Sequence, residues 1–186
     1  MNSIQIAILA SGLALNSFMS FLYSGSSLKS TDFDQKLQTG TIIFLLQVMM
    51  LGAGLWLGIR IGILAENSNY YISLGLLLFI GLKIIFESIG SRPENISILT
   101  EKRELTIFSL SEGILPLLLG IAVGLVVDVL MTAWIILIVF QTVALLAGFY
   151  LSSRNTPVKF GIKPEIIGGL IILAAALKML ISLIGF

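Results

Sequence analysis

One acidic side chain lies deep within a long apolar stretch of the sequence. Glu112 occurs in the run Ser-Leu-Ser-Glu-Gly at 109–113, and Pro116 follows it by one helical turn. Proline cannot donate a hydrogen bond to the carbonyl four residues before it, so in a helix the carbonyl oxygen of Glu112 loses its usual donor and a kink is expected there. A carboxylate beside a freed carbonyl oxygen suits a hard divalent cation. Glu112 is therefore a candidate cation ligand, and the alternative is a structural, hydrogen-bonded glutamate.

Three amide side chains occupy comparable places in other apolar stretches. Asn16 lies in the first stretch, one turn before Ser20, and Gln47 and Gln141 lie at matching places in two further stretches. Taken singly, such groups most often hydrogen-bond to a neighbouring helix. Because they stand at comparable positions around Glu112, we add Asn16, Gln47 and Gln141 to the candidate cation ligands.

Two lysines and a second glutamate also fall within apolar stretches. Lys83 and Glu87 are four residues apart, so they share one face of a helix and can pair with each other. Their position near the end of the stretch favours a pair that reaches the membrane interface, and the second interpretation makes Glu87 a further cation ligand. Lys178 has Ser182 where Lys83 has Glu87, and we expect it to reach the interface or contact a neighbouring helix.

The composition excludes most other kinds of chemistry. Of the 186 residues 57% are hydrophobic and 11% are charged, whereas soluble domains carry about 25% charged residues. With no Cys and no His, thiolate chemistry, iron–sulfur clusters, the usual zinc sites and a Ser-His-Asp triad are excluded. A net charge of +1 gives no bulk charge with which to hold nucleic acid. We expect a membrane protein that is not an enzyme and has no resident cofactor or nucleic-acid partner.

The candidate ligands must be positioned by membrane-spanning helices. A span needs about 20 mostly apolar residues, since a helix rises 1.5 Å per residue through about 30 Å of hydrocarbon. Long apolar runs without alternation indicate helices and not barrel strands. The sequence therefore predicts an all-α membrane protein with six transmembrane helices, near residues 4–24, 38–60, 70–90, 105–127, 130–152 and 164–185.

The two halves of the chain resemble each other. Lys83 recurs as Lys178 at an offset of 95, and Gln47 recurs as Gln141 at an offset of 94. Three helices is an odd number, so the second half enters the membrane from the opposite side. We predict two inverted three-helix repeats, residues 1–92 and 105–186, joined by a cytoplasmic linker at 93–104. Secondary transporters with this architecture bind substrate near the midplane, where the repeats meet.

The basic residues indicate the orientation. Of those outside the spans, eight fall in or border the first, third and fifth loops, and Arg60 alone borders the opposite side. Cytoplasmic loops carry an excess of Lys and Arg, so both termini are expected to face outward. The eight are Lys29, Lys36, Arg92, Lys102, Arg103, Arg154, Lys159 and Lys163.

Several motifs resemble those of the MntP-type manganese efflux pumps of bacteria, small six-helix members of the LysE transporter superfamily, over almost the whole chain. The run 14–18, Ala-Leu-Asn-Ser-Phe, is similar to a family motif with Asp where Asn16 stands. The run 81–87, Gly-Leu-Lys-Ile-Ile-Phe-Glu, follows a family motif that ends in the residue matching Glu87, and 110–112, Leu-Ser-Glu, aligns with a second Ser-Leu-Asp motif. Leu37-Gln38-Thr39-Gly40 and Gly168-Gly169-Leu170 also match family runs.

The resemblance implies a multi-pass exporter of a divalent cation, manganese, in a bacterial plasma membrane, working by alternating access. This chain departs from the pattern at Asn16 and Gln47, where the family has Asp and Glu, and at Leu51, where it has Pro. Losing two charges weakens a divalent site, so export of another cation or small solute, or a non-transporting protein with a degenerate site, stays open. The expected partners are the lipid bilayer and the transported cation, and a homodimer is left open.

Overall fold

The structure is a computed structural model, and it describes residues 2–27, 33–65, 68–90, 102–127, 129–152 and 163–184. Within these ranges it contains α-helices and no strand. The helices are α1 (Ser3–Ser27), α2 (Phe33–Ala65), α3 (Asn69–Ile89), α4 (Lys102–Gly124), α5 (Leu130–Ser152) and α6 (Pro164–Ile184). All six are long and apolar enough to cross a membrane. The predicted all-helical fold with six membrane-spanning helices is confirmed.

The second helix differs most from its predicted bounds. The sequence predicts residues 38–60, whereas α2 extends over Phe33–Ala65. The helix continues past Arg60 for two reasons. Apolar residues extend to Ala65, and the Arg60 guanidinium lies over the Trp56 ring, 5.4 Å from its centroid. The first three residues of α4, 102–104, also belong to the helix and not to the linker. Residues 93–101 of the predicted linker lie outside the described residues.

The helices form two main pairs, and one member of these pairs, α1, lies at the centre of the bundle. The most extensive contacts join α2 to α4 and α1 to α5, and α6 packs on both α1 and α3. α1 is the most enclosed, with 67% of its most apolar stretch buried, against 22% for α5 and for α6. The large apolar side chains that remain exposed on the other helices face outward, where acyl chains take the place of water.

Close approach of α2 and α4 depends on glycine. A Cβ added to Gly58 would lie 2.4 Å from the carbonyl oxygen of Ile121, and one added to Gly124 would lie 2.5 Å from that of Leu55. Backbone therefore packs directly on backbone along this pair, as small residues permit in membrane helices. α4 continues through Pro116 without a break in its helical assignment.

The buried apolar side chains form two separate clusters. The larger draws on all six helices and includes Leu13, Leu51, Leu115 and Leu137. The smaller has Phe21 and Ile43 at its centre, and packed against them are Phe44, Phe108, Leu145 and Phe149. We call this smaller set the aromatic cluster. It draws only on α1, α2, α4 and α5.

Candidate functional site

A layer of polar side chains separates the two apolar clusters on each of the four helices that contribute to both. Along α1 it lies between Leu13 and Phe21, along α2 between Phe44 and Leu51, along α4 between Phe108 and Leu115, and along α5 between Leu137 and Leu145. We call it the polar layer, and its members are Asn16, Ser17, Ser20, Gln47, Ser109, Glu112 and Gln141. Except for Glu112, which is partly buried, all of these side chains are buried.

The one carboxylate of the polar layer is held by a serine from another helix. The hydroxyl of Ser20 on α1 donates a short hydrogen bond to Oε2 of Glu112 on α4. The backbone carbonyl oxygen of Asn16 lies 3.4 Å from the same hydroxyl. A hydroxyl has one proton, and the carboxylate is the stronger and closer acceptor. Ser20 therefore orients the Glu112 carboxylate toward α1.

Two glutamines of the polar layer are buried, and their amides make no hydrogen bond to the part of the protein that the structure describes. Gln47 and Gln141 are each 1% exposed, and the Oε1 and Nε2 atoms of both find no hydrogen-bond partner among the described residues. Leaving a buried polar group unsatisfied costs about 1–3 kcal/mol, and such groups in native proteins usually call for a water, ion or functional explanation. A polar ligand in this layer could therefore form hydrogen bonds with both amides.

Glycine contacts explain how Gln47 and Gln141 come to face the layer. A Cβ added to Gly113, next to Glu112, would lie 3.0 Å from Met50 Cγ and 3.3 Å from Leu46 Cδ2, so α2 approaches α4 where Gln47 stands. On α5, Gln141 belongs to the buried face that also carries Leu137 and Gly148.

The same face of α5 lies against α1. A Cβ added to Gly148 would lie 2.9 Å from the carbonyl oxygen of Phe18. Residues seven apart lie on one side of a helix, so Gln141 faces α1, the helix that carries Asn16 and Ser20.

Of the five candidate ligands, the structure brings four into the polar layer. Asn16, Gln47, Glu112 and Gln141 are members of it. Glu87 is not: it is exposed on α3, and its carboxylate pairs with the ammonium of Lys83 one turn away. The predicted pairing of these two residues agrees with the structure, which places Glu87 outside the layer.

Sequence reasoning did not assign Ser17, Ser20 and Ser109 to the candidate site. Each is fully or almost fully buried, at 1%, 0% and 0% exposure. Their spacing carries a signal: Ser20 is one turn from Asn16, and Ser109 is one turn from Glu112, so each shares a helix face with a predicted ligand. Serine is common in membrane helices, however, and only the hydrogen bond to Glu112 distinguishes Ser20 from a packing residue.

The polar layer offers one negative charge and several neutral oxygen donors. Among the described residues no three His, Cys, Asp or Glu side chains come together as a metal-binding group. The carboxylate of Glu112, the carbonyl oxygens of the amides and the serine hydroxyls are hard ligands, of the type that suits Mg²⁺, Ca²⁺ and Mn²⁺. This arrangement can coordinate a cation between the helices.

Comparison with known proteins identifies the family. The profile described as "Putative manganese efflux pump" matches residues 30–180. A protein named "Putative manganese efflux pump MntP" from Methanocorpusculum labreanum is 33% identical, over 94% of this chain and 94% of its own length. The chain belongs to the MntP family. This confirms the resemblance drawn from the motifs around Asn16, Glu87 and Glu112.

Other relatives cover the chain as completely. The MntP-named protein of Elusimicrobium minutum is 27% identical over 98% of both chains. That of Acetivibrio thermocellus is 28% identical, over 100% of this chain and 93% of its own. No solved structure matches this chain. The MntP relationship therefore extends over all six helices and includes the whole polar layer.

Proposed function

We propose that this chain exports manganese across the plasma membrane of a bacterial cell by alternating access. One observation carries the proposal: a chain of the MntP family encloses a carboxylate-bearing polar layer between two apolar clusters on four membrane-spanning helices. An ionisable group within the membrane is costly unless it is paired or functional. The hydrogen bond from Ser20 orients the Glu112 carboxylate, and a carboxylate held in this way can serve as a ligand to a cation.

The two apolar clusters supply the seals that alternating access needs. The aromatic cluster closes the layer toward the ends where α1 and α5 finish and α2 and α4 start. The larger cluster closes it on the other side. A hydrated cation cannot cross apolar packing of this kind, so transport would require one seal to open while the other stays closed.

The helix pairing supports two inverted repeats. Exchanging α1 with α4, α2 with α5 and α3 with α6 turns the α2–α4 pair into α5–α1, and these are the two most extensive pairs in the fold. Gly148 of α5 approaches the backbone of α1 as Gly54 of α2 approaches that of α4. Halves related in this way can exchange their conformations about a fixed central site.

The orientation we propose has both termini outside and the segment that joins α3 to α4 in the cytoplasm, as the charge bias of the loops indicates. The sequence has no ATP-binding motif, so transport would be coupled to an ion gradient or to the membrane potential. Moving one elementary charge through 100 mV is worth about 2.3 kcal/mol. We propose transport and no enzymatic activity.

A second candidate substrate follows from the charge of the site. Asn16 and Gln47 are neutral, so among the described residues Glu112 is the only carboxylate of the polar layer. One carboxylate with amides suits a monovalent cation or a small polar solute as well as Mn²⁺. In that case flux would depend on the other species and not on manganese.

The proposal is tested by expressing the chain in a host that lacks its own manganese exporter. We expect the wild-type chain to restore growth in excess manganese and to lower cellular manganese. Glu112→Gln removes the charge and keeps the shape, so it should abolish both effects, whereas Glu87→Gln, outside the polar layer, should retain them. No protection by the well-expressed wild-type chain would refute manganese export, and full protection by Glu112→Gln would refute the site.

A further inference from the structure

A cavity lies at the end of the bundle where α1 and α3 begin and α4 and α6 finish. Its volume is about 400 Å³. Its described lining residues come from α1, α3, α6 and the segment just after α4, and none of them lies on α2 or α5. Because Gln47 and Gln141 are on α2 and α5, this cavity is separate from the polar layer, and the larger apolar cluster lies between them.

The cavity is amphipathic. Its polar lining residues are Asn2, Gln5, Tyr70, Lys178 and Ser182, and its apolar ones include Leu9, Leu77 and Met179. Tyr70 stands next to the first residue of α3, and Lys178 lies about two turns before the last residue of α6. Tyrosine and lysine near helix ends are typical of the membrane interface, so the cavity lies at the depth of lipid headgroups.

Lys178 lacks the carboxylate that its counterpart in the other half has. Lys83 pairs with Glu87 one turn later on α3. At an offset of 95, Lys178 corresponds to Lys83 and Ser182 corresponds to Glu87, so the acidic partner is replaced by a hydroxyl. Lys178 is exposed, and within the described part of the chain it makes no ion pair. Its charge is therefore available to an anion in the cavity.

We propose that this cavity binds the headgroup of an anionic phospholipid, with the phosphate on Lys178 and Ser182. The ammonium supplies the charge, the hydroxyl of Ser182 supplies a donor one turn away, and the amides at the start of α1 can donate to headgroup oxygens. The apolar part of the lining accepts the first segment of an acyl chain. A soluble anion would use the polar atoms alone and leave this apolar wall in contact with water, which is why the lipid is the better fit.

The proposal is tested on the purified full-length protein in detergent, with two short-chain lipids of identical acyl chains, a phosphatidylglycerol and a phosphatidylcholine. Affinity is measured from the concentration dependence of the thermal midpoint. We expect the anionic lipid to bind about fivefold more tightly, the size of one lysine contact at a membrane surface. Equal affinity for the two lipids would overturn the proposal.

Three variants make the test specific to Lys178. Lys178→Gln should remove the preference for the anionic lipid. Ser182→Glu, at an exposed position, should remove it as well, because the new carboxylate pairs with Lys178 as Glu87 pairs with Lys83. Lys83→Gln is the matched control and should keep the preference. A preference that survives both changes on α6, or that Lys83→Gln also removes, would overturn the assignment.

Inorganic phosphate separates a lipid from a soluble anion. At the concentration at which the anionic lipid saturates, phosphate alone should neither raise the thermal midpoint nor displace the lipid. Displacement by phosphate at that concentration would show a site for soluble anions and contradict the lipid assignment.

Discussion

At the scale of single residues, the candidate site depends on one charge and its neutral neighbours. Ser20 on α1 orients the Glu112 carboxylate on α4, and the amides of Gln47 and Gln141 find no hydrogen-bond partner in the described part of the chain. The MntP resemblance places Asp and Glu where Asn16 and Gln47 stand. Asn16 and Gln47 offer neutral carbonyl oxygens for ligation, and neither brings the negative charge that a carboxylate would. We therefore expect the site to bind divalent cations more weakly than one that keeps those carboxylates.

Restoring a carboxylate at Asn16 should strengthen binding of a divalent cation. Two unit charges 4 Å apart interact by about 4 kcal/mol at an effective dielectric of 20, and desolvation of the new carboxylate offsets part of this. We expect Asn16→Asp to bind Mn²⁺ about tenfold more tightly in calorimetry on the purified protein. Gln38→Glu, at an exposed position of α2, adds the same charge outside the layer and should leave the affinity unchanged. Unchanged affinity in Asn16→Asp would exclude Asn16 as a ligand.

The sequence predicted four members of the polar layer because a polar residue in an apolar span is conspicuous. It did not separate Glu87 from them, since that depends on which helices enclose the layer. α3 does not contribute to the aromatic cluster, and Lys83 satisfies Glu87 locally. The aromatic cluster itself was not predictable, because Phe21, Phe108 and Phe149 lie far apart in sequence and resemble any lipid-facing phenylalanine.

At the scale of helices, the length of the apolar stretches predicted all six helices, but the predicted bounds of α2 were too short. The ends of α1, α3, α4, α5 and α6 fall within three residues of the predicted bounds. The end of α2 does not, since a helix can carry an arginine that stacks on Trp56. The sequence did not predict which helices pack on each other, although the glycines spaced four apart on α2 and α4 mark the faces that meet.

Backbone contact between α2 and α4 predicts a sharp difference between two glycines. Gly58→Ala must push α2 away from Ile121 and Gly124, since its Cβ would lie 2.4 Å from a carbonyl oxygen. We expect it to destabilise the protein by about 1–3 kcal/mol, as overpacking does, and to lower the thermal midpoint in detergent. Gly75 on α3 has nothing within 4 Å of its added Cβ. Gly75→Ala should therefore be neutral or slightly stabilising, and equal midpoints for the two variants would contradict the close packing.

At the scale of the whole molecule, the proposed function relies on the proposal that the two halves are inverted repeats. The offsets that relate Gln47 to Gln141 and Lys83 to Lys178 agree with the two most extensive helix pairs, α2–α4 and α5–α1, which correspond to each other when the halves are exchanged. The charge bias of the loops predicts which face is cytoplasmic.

The orientation can be measured with single cysteines, because the natural chain contains none. Asn2→Cys should react on intact cells with a membrane-impermeant maleimide, since the N-terminus is proposed to be outside. Ser91→Cys, next to the linker, should react only after the cells are opened. The reverse pattern would invert the topology and with it the proposed direction of export.

The most direct test of the central claim is manganese flux through the purified protein in liposomes. Vesicles would contain a dye that Mn²⁺ quenches, with a membrane potential imposed to drive the cation inward. We predict that quenching with the wild-type chain is several times faster than in protein-free vesicles, and that Glu112→Gln reduces it to the protein-free rate. Wild-type quenching at the protein-free rate, or a Glu112→Gln rate equal to wild type, would contradict manganese transport through the polar layer.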